Sequence, residues 1–387
     1  MTNPLRIGVD ARYLSHGLLG GVHTYVGRVL PAMAAAGQQH AFILYADSKA
    51  PLEIAPPPGA AVRTLPWRHA GSSVWSDWVR LARWMARDRV DVAFFPANQG
   101  FAPAATAAVI TVHDALNLLP LRETLRFHGH AVSLRSRATT VYLHAICARS
   151  AQRATSLVTM SGYSRQTIVA ASGRAASDIS IVHHGAPPAL PVTPADVDAV
   201  LAAHRITRPY VLADGLKNPG LVVRAGARLA AGGQRCQFVF FARHPDVMPE
   251  LKAAVARSDA TLIVRATTPT LAALYSGAAA FAFPSWVEGF GIPLLEAMQY
   301  GAPVVASDRG SIPEVVGDAA LLVDAEDDAG LADALRGILS SPEFAAALRA
   351  RGHTRVGAFT WQRAGARTLE AVEAAVTQHR AGQGGRR

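Results

Sequence analysis

Two carboxylates, Glu288 and Glu296, stand eight residues apart in SWVEGFGIPLLEAMQYG, with Gly289, Gly291 and Pro293 between them. The run before them, AAFAFPS, reads as a buried strand, and the run after Pro293 reads as a helix ended by Gly301. Proline is tolerated in a first helical turn, where its missing N–H costs nothing. Glu288 then falls on the loop entering the helix and Glu296 within its first turns. A helix start presents unsatisfied N–H groups and the positive end of a dipole, which together favour phosphate. Gly289 and Gly291 let that backbone approach a ligand closely. A phosphate there would be flanked by two acceptors for sugar hydroxyls. A nucleotide sugar has both needs: a diphosphate for the amides, and sugars at either end for the carboxylates. The same spacing fits two glutamates that merely cap the helix and favour its dipole, and spacing alone leaves both readings open.

The elements that must position these residues are those of parallel α/β sheets, apolar strands alternating with amphipathic helices. In the first half, strands are expected at 7–11, 41–46, 90–96, 107–114, 156–161 and 178–185. A glycine corner, HGLLGG, precedes a helix over roughly 22–36, where Val22, Tyr25, Val26, Val29, Leu30 and Met33 keep helical spacing. The proline-rich PPALPVTPADVDAV breaks the rhythm and suggests a domain boundary near 187–207. A second series runs through PYVLADG, QFVFFA, ATLIVRA, AAFAFPS, APVVASD and AALLVDA. The expected organisation is two Rossmann-like, doubly wound domains facing across a cleft, 1–190 and 208–358. A C-terminal helix over 359–380 crosses back to the first domain, and a disordered tail follows at 381–387. Ligands of open parallel sheets bind beyond the carboxyl ends of the strands, so the loops of interest belong on the walls of that cleft.

A chain of 387 residues is too long for one compact core, and half of its residues are hydrophobic. Cys147 and Cys236 fit a reducing compartment and supply neither a disulfide framework nor a metal cluster. The opening MTNPLRIGVDARYL lacks the pattern of a secretion signal. No window offers about 18 uninterrupted apolar residues. A cytoplasmic protein is expected. The net charge of +10 favours anionic partners, but no zinc-finger spacing or aromatic-plus-basic signature points to nucleic acid. Asp196-Val197-Asp198 spells an Asp-x-Asp of metal-dependent transferases, yet its proline-flanked setting reads as a solvated helix start. Ser311-Ile312-Pro313-Glu314 fits a capping box.

EGFGIPLLEAM followed by GAPVVASDRGSIPEVVGDAALLVD resembles the retaining glycosyltransferases of family 4, which have the GT-B fold. The resemblance covers nearly the whole chain, is strongest from 271 to 325, and is nearest in pattern to bacterial mannosyltransferases of surface-polysaccharide assembly. It implies that the second domain holds the donor and the first the acceptor. It implies that Glu288 lies near the donor sugar and Glu296 binds the ribose hydroxyls, with Gly289, Phe290, Gly291 and Ile292 forming the donor-binding turn between them. Neither a divalent metal nor a cofactor is implied. GLLGGVHTYVGRVL resembles the family's glycine loop, placing Gly20 and Gly21 over the diphosphate. ITVHDA implies that His113 contacts the donor sugar, with Asp114 beside it. In TMSGYSRQTIV, similar to the family's serine turn, Ser161 reads as a helix cap. In ADGLKNPG, Lys217 and Asn218 match the family's Lys-Asn, the lysine holding the diphosphate as the nucleotide leaves. Here the sequence departs from the pattern: members usually carry an arginine directly before that lysine and a longer loop, whereas this chain has Leu216 on a short one. Arg265 and Arg243, at neighbouring strand ends, are the candidates to stand in.

The resemblance thus implies a cytoplasmic, retaining, metal-independent transferase moving a sugar from a nucleotide diphosphate donor, GDP-mannose as first choice, to a lipid-linked or growing glycan. The rival readings are an epimerase or hydrolase of nucleotide sugars on the same fold, and a non-catalytic relative that binds them. WSDWVRLARWMARDR at 75–89 mixes Trp and Arg as interfacial helices do, which suggests peripheral contact with anionic membrane. It reads equally as a core-packed helix with a basic outer face.

Overall fold

The computed structural model describes residues 3–16, 21–127, 134–243 and 248–384. The chain divides into two units, Met1–Gly185 with Trp361–Arg387, and Ala186–Thr360.

The first unit is built on seven parallel strands: β1 (Arg6–Asp10), β2 (Ala41–Asp47), β3 (Ala61–Leu65), β4 (Val92–Phe95), β5 (Ala107–Thr111), β6 (Ser156–Thr159) and β7 (Ile179–Ile181). Their order is β3-β2-β1-β4-β5-β6-β7. β4, β5 and β6 are buried at every position, the condition of strands covered on both faces, and they read as continuous apolar runs for that reason. β3 lies outside the expected set. It is an edge strand paired only with β2, and most of AVRTL faces away from the core, so no apolar run marks it.

Helix Gly21–Ala36 buries Tyr25, Val26, Val29, Leu30 and Met33. Helix Trp361–Gly384 packs on it and contributes Ala364, Leu369, Val372 and Val376 to the same core. Gly365 permits the approach: a Cβ there would stand 2.4 Å from the Ala32 carbonyl carbon. This helix continues to Gly384, so the tail expected at 381–387 is helical over 381–384. Ala381 and Gln383 are adequate helix formers, and no proline follows Trp361 to end the helix. Residues 385–387 lie outside the described set.

The second unit carries six parallel strands: β8 (Tyr210–Asp214), β9 (Gln237–Ala242), β10 (Thr261–Val264), β11 (Ala280–Phe283), β12 (Val304–Ser307) and β13 (Ala320–Val323), in the order β10-β9-β8-β11-β12-β13. Residues 187–207, read from sequence as the boundary, belong to this unit. Pro194–His204 is a helix opened by a reciprocal Thr193–Asp196 capping box. It packs on helix Thr268–Gly277, so closely that a Cβ on Gly277 would lie 2.7 Å from Val197 Cγ1. The prolines break the strand–helix rhythm without ending the unit. Unit one therefore closes at Gly185 rather than 190, and unit two runs from 186 to 360 rather than from 208 to 358. Because all six strands are parallel, the loops leaving β8, β9, β11 and β13 emerge on one edge of the sheet.

Candidate active site

On that edge β8 ends in Asp214, whose Oδ1 accepts from the Leu216 amide at 2.8 Å and tightens the turn that follows. The turn delivers Lys217, and Asn218 completes it in the left-handed conformation (φ +52°), a state Asn tolerates better than most residues. The Asn218 amide donates to the Pro284 carbonyl (3.1 Å) and the Ala325 carbonyl (2.8 Å), tying together the loops after β8, β11 and β13. Asn218, expected as a donor-binding residue, thus has its amide hydrogens engaged in holding loops.

Lys217 reaches across to the loop after β11, its Nζ 2.8 Å from Glu288 Oε1. The same oxygen accepts from Ser285 Oγ at 2.7 Å. The Glu288 carbonyl accepts from both the amide (3.2 Å) and the hydroxyl (2.9 Å) of Ser311, so its backbone is pinned as firmly as its side chain. Ser311 is consequently not the side-chain cap that its Ser-x-x-Glu spacing suggested. Its hydroxyl serves Glu288 instead.

Helix Ile292–Gln299 opens at Gly291 with φ +94° and no side-chain cap. A Cβ on Gly291 would meet Leu294 Cδ1 at 2.9 Å, so both conformation and space call for glycine there. Phe290, expected among the donor contacts, is buried with its ring edge-on to Phe359, centroids 5.8 Å apart. It anchors the loop rather than offering a surface. Gly289 and Ile292 are half-buried at the same turn.

Glu296 holds a second cation. One terminal nitrogen of Arg243 donates to both of its oxygens at 2.8 Å, and the Tyr275 hydroxyl lies 3.5 Å from Oε2. Burial raises the Glu296 carboxyl above its ordinary range, with Arg243 opposing. Burial raises Asp214 as well, Lys217 and Arg243 opposing and Glu288 adding to the rise. Tyr275 is pushed far up by burial and by Glu296. Asp214 and Tyr275 were not singled out from sequence. A carboxylate ending a strand beside Lys-Asn was the available signal for the first; nothing marked the second.

Arg265 follows β10 with φ +55°, exposed, and among the described residues it pairs with no carboxylate. Of the two candidates to replace the missing arginine, only Arg243 touches the glutamate pair.

The remaining expected residues lie in the first unit. His113 follows β5; its amide donates to Asn98 Oδ1 (2.7 Å) and its Nε2 lies 2.9 Å from the Pro96 carbonyl. A carbonyl can only accept, so Nε2 carries the proton and Nδ1 is the acceptor. Burial lowers the His113 pKa, which keeps the ring neutral. Its ring meets Tyr25 edge-on at 4.9 Å. Tyr25 in turn stacks on His184, whose pKa burial drives down to about 3. Asp114 is exposed and accepts from the Leu116 amide (2.9 Å), a local turn. Gly21 begins helix Gly21–Ala36 with open space around it, while Gly20 lies outside the described residues. Asp196 and Asp198 are occupied by Thr193 and Arg208 at a helix start, and Ser161 caps helix Gly162–Ser172. Among the described residues no group of three or more His, Cys, Asp or Glu is arranged to hold a metal, and no helix is long and apolar enough to cross a membrane.

Two Rossmann-like α/β units with parallel sheets define the GT-B class. Solved structures agree: sucrose-phosphate synthase from Thermosynechococcus elongatus superposes with a TM-score of 0.68 at 18% identity, covering 95% of this chain and 98% of that one. HepE of Anabaena, in complex with UDP-glucose, gives 0.63 at 15% identity over 94% and 98%. Residues 19–190 match Glycosyltransferase Family 4 and residues 212–341 match Glycosyl transferases group 1. Between them the two matches take in residues of both units. Over 100 residues it is 39% identical to O-antigen chain mannosyltransferase B of Escherichia coli, an alignment spanning 26% of each protein.

Proposed function

We propose that the protein is a retaining hexosyltransferase that moves a sugar, mannose from GDP-mannose first among donors, to a lipid-linked or growing glycan. The observation that carries this is the pair of contacts Lys217–Glu288 and Arg243–Glu296, each 2.8 Å, which set a cation on both glutamates of the eight-residue spacing. Likeness to an O-antigen mannosyltransferase supports the sugar; the UDP-glucose bound by HepE supports a nucleotide-sugar donor.

The bond from the anomeric carbon to the β-phosphate oxygen breaks as the acceptor hydroxyl adds to that carbon on the same face. The hydroxyl proton passes to the departing phosphate oxygen, giving glycoside and nucleoside diphosphate. Positive charge grows at the anomeric carbon and negative charge on the leaving diphosphate, so catalysis consists of positioning and charge stabilisation. Lys217 and the helix start at Gly291–Ile292 take up the negative charge without a metal, and Gly21 gives room for the phosphates. Glu288 orients the donor sugar and supports the positive carbon. Glu296 accepts the ribose hydroxyls. His113 presents Nδ1 as an acceptor to a sugar hydroxyl.

A thermal-shift panel of GDP, UDP, ADP and dTDP tests the donor class, because a ligand at 100 times its Kd adds about 2.7 kcal/mol of stability. Absence of a shift with every nucleotide rejects the reading. Product analysis with labelled donor then separates transfer from hydrolysis or epimerisation.

Peripheral docking on anionic membrane is part of the proposal. Val74 and Trp75 are exposed side by side, and the Arg83 guanidinium lies 5.8 Å from the Trp75 ring centroid, the mixture of an interfacial segment. Trp78 and Trp84 pack on the core instead. Co-sedimentation with vesicles at low salt that shows no preference for anionic lipid rejects docking.

A further inference from the structure

The Arg243–Glu296 contact is unusual for a carboxylate assigned to sugar hydroxyls, because the carboxylate is already occupied. A single Arg243 nitrogen bridges both oxygens, in place of the fork-on-fork pairing in which two guanidinium nitrogens each take one. Among the described residues Nε and the other terminal nitrogen of Arg243 engage nothing, and the side chain is 42% exposed. This is a cation held by one end. The cavity that Arg243 and Glu296 line with Tyr275, Tyr300, Pro187 and Pro188 measures about 20 Å³, room for a water molecule and not for a ribose.

Charge points the same way. Asp214, Glu288 and Glu296 share this edge with Lys217 and Arg243, so the ionised set carries one negative charge in excess. A diphosphate entering such a place gains only if the cations turn from the carboxylates towards it. Leu216 stands where a second phosphate-binding arginine is usual in this family, and β9, which delivers Arg243, is the neighbour of β8, which delivers Lys217. We propose that Arg243 is exchanged between two anions: it closes on Glu296 in the empty site and turns to the donor diphosphate when the ribose hydroxyls take its place on that carboxylate. The inference rests on the reading of Glu296 as the ribose acceptor. Each partner keeps its hydrogen bonds through the exchange, with two hydroxyls replacing the guanidinium on Glu296 and phosphate oxygens replacing Glu296 on the guanidinium. Donor diphosphate and ribose then bind cooperatively, since neither half of the ligand completes the exchange alone.

The test is calorimetric titration of the full chain with guanosine and with GDP, in wild type, Arg243→Gln and Glu296→Gln, with circular dichroism to establish that each variant is folded. Arg243→Gln should weaken GDP at least tenfold while guanosine binds as well as to wild type or better, because Glu296 is released. Arg243→Lys should recover part of the GDP affinity, having charge without the fork. Equal weakening of guanosine and GDP by Arg243→Gln overturns the exchange and makes Arg243 a fixed part of the ribose site. Unchanged GDP affinity overturns the diphosphate contact. If Glu296→Gln leaves guanosine binding untouched, the assignment of Glu296 itself fails and the exchange falls with it.

Discussion

Lys217 Nζ and Glu288 Oε1 stand 2.8 Å apart, joining the turn after β8 to the loop after β11. With Lys217 more than a third exposed, the pair adds little to stability, about 0–1 kcal/mol. Its consequence is positional: a cation and an anion are held at one spot, where a donor would have its leaving phosphate beside its anomeric carbon. Lys217→Ala should lower kcat roughly 100-fold or more, the scale seen when one donor to a developing charge is removed. Glu288→Gln, which keeps the Ser285 bond, should lower kcat comparably while GDP affinity changes little. Full turnover by Glu288→Gln at saturating donor would remove Glu288 from the reaction.

Glu296 should act on binding instead. Glu296→Ala leaves Lys217 and Glu288 in place and removes the acceptor for two hydroxyls, so KM for the donor should rise about 10- to 100-fold for lost bonds worth about 1.5–3 kcal/mol, with a smaller effect on kcat. Because burial raises the Glu296 carboxyl, it protonates at a higher pH than an ordinary glutamate. Donor affinity should fall on acidification before exposed carboxylates titrate. A kcat/KM profile flat through that range in wild type would contradict the assignment.

How much of this was legible in the sequence follows from what each residue touches. The central strands were, because burial on both faces leaves continuous apolar runs; β3 was not, because an exposed edge carries no such signal. The glutamate spacing marked the loop and helix, yet their cations sit on other strands and become neighbours only through the order β9-β8-β11. Family resemblance transfers a position and not its contacts: no motif shows that the Asn218 amide ties three loops together or that the Phe290 ring packs against Phe359.

Asp214 offers a test through pH. Its folded pKa is raised, mainly by burial, so the ionised form is penalised in the native state. The native protein binds the proton more tightly than the unfolded chain, and stability therefore falls as pH rises from the unfolded pKa through the folded one. Asp214→Asn keeps the acceptor for the Leu216 amide and removes the penalty. It should raise Tm at pH 8, with the gain shrinking as pH falls through the folded pKa and gone below the unfolded one. A gain that instead grows on acidification would show the carboxylate to be stabilised as an anion.

His113 separates chemistry from nucleotide binding. Its Nε2–H is tied to the Pro96 carbonyl, leaving Nδ1 as a neutral acceptor. His113→Ala should reduce kcat with the sugar donor and leave the Kd for GDP unchanged, because no nucleotide contact is assigned to this ring. Lowering pH should have little effect through this ring, since burial already holds its pKa below the ordinary value. A matching loss of GDP affinity would place His113 in nucleotide binding.

Gly365 tests what holds the C-terminal helix to the first unit. The helix packs on Gly21–Ala36 where a Cβ would come within 2.4 Å of the Ala32 carbonyl carbon and 2.5 Å of the Met33 amide nitrogen. Both are backbone atoms in a helix and cannot rotate aside. Gly365→Val must force the helices apart, at a cost of about 1–3 kcal/mol or more for overpacking. Glycine in a helix interior itself costs roughly 1 kcal/mol against alanine, so Gly365→Ala gains propensity and loses packing, and should fall between wild type and valine. Urea midpoints in the order wild type, Ala, Val at constant m would bear this out. An alanine variant more stable than wild type would mean that the two helices can move apart without loss.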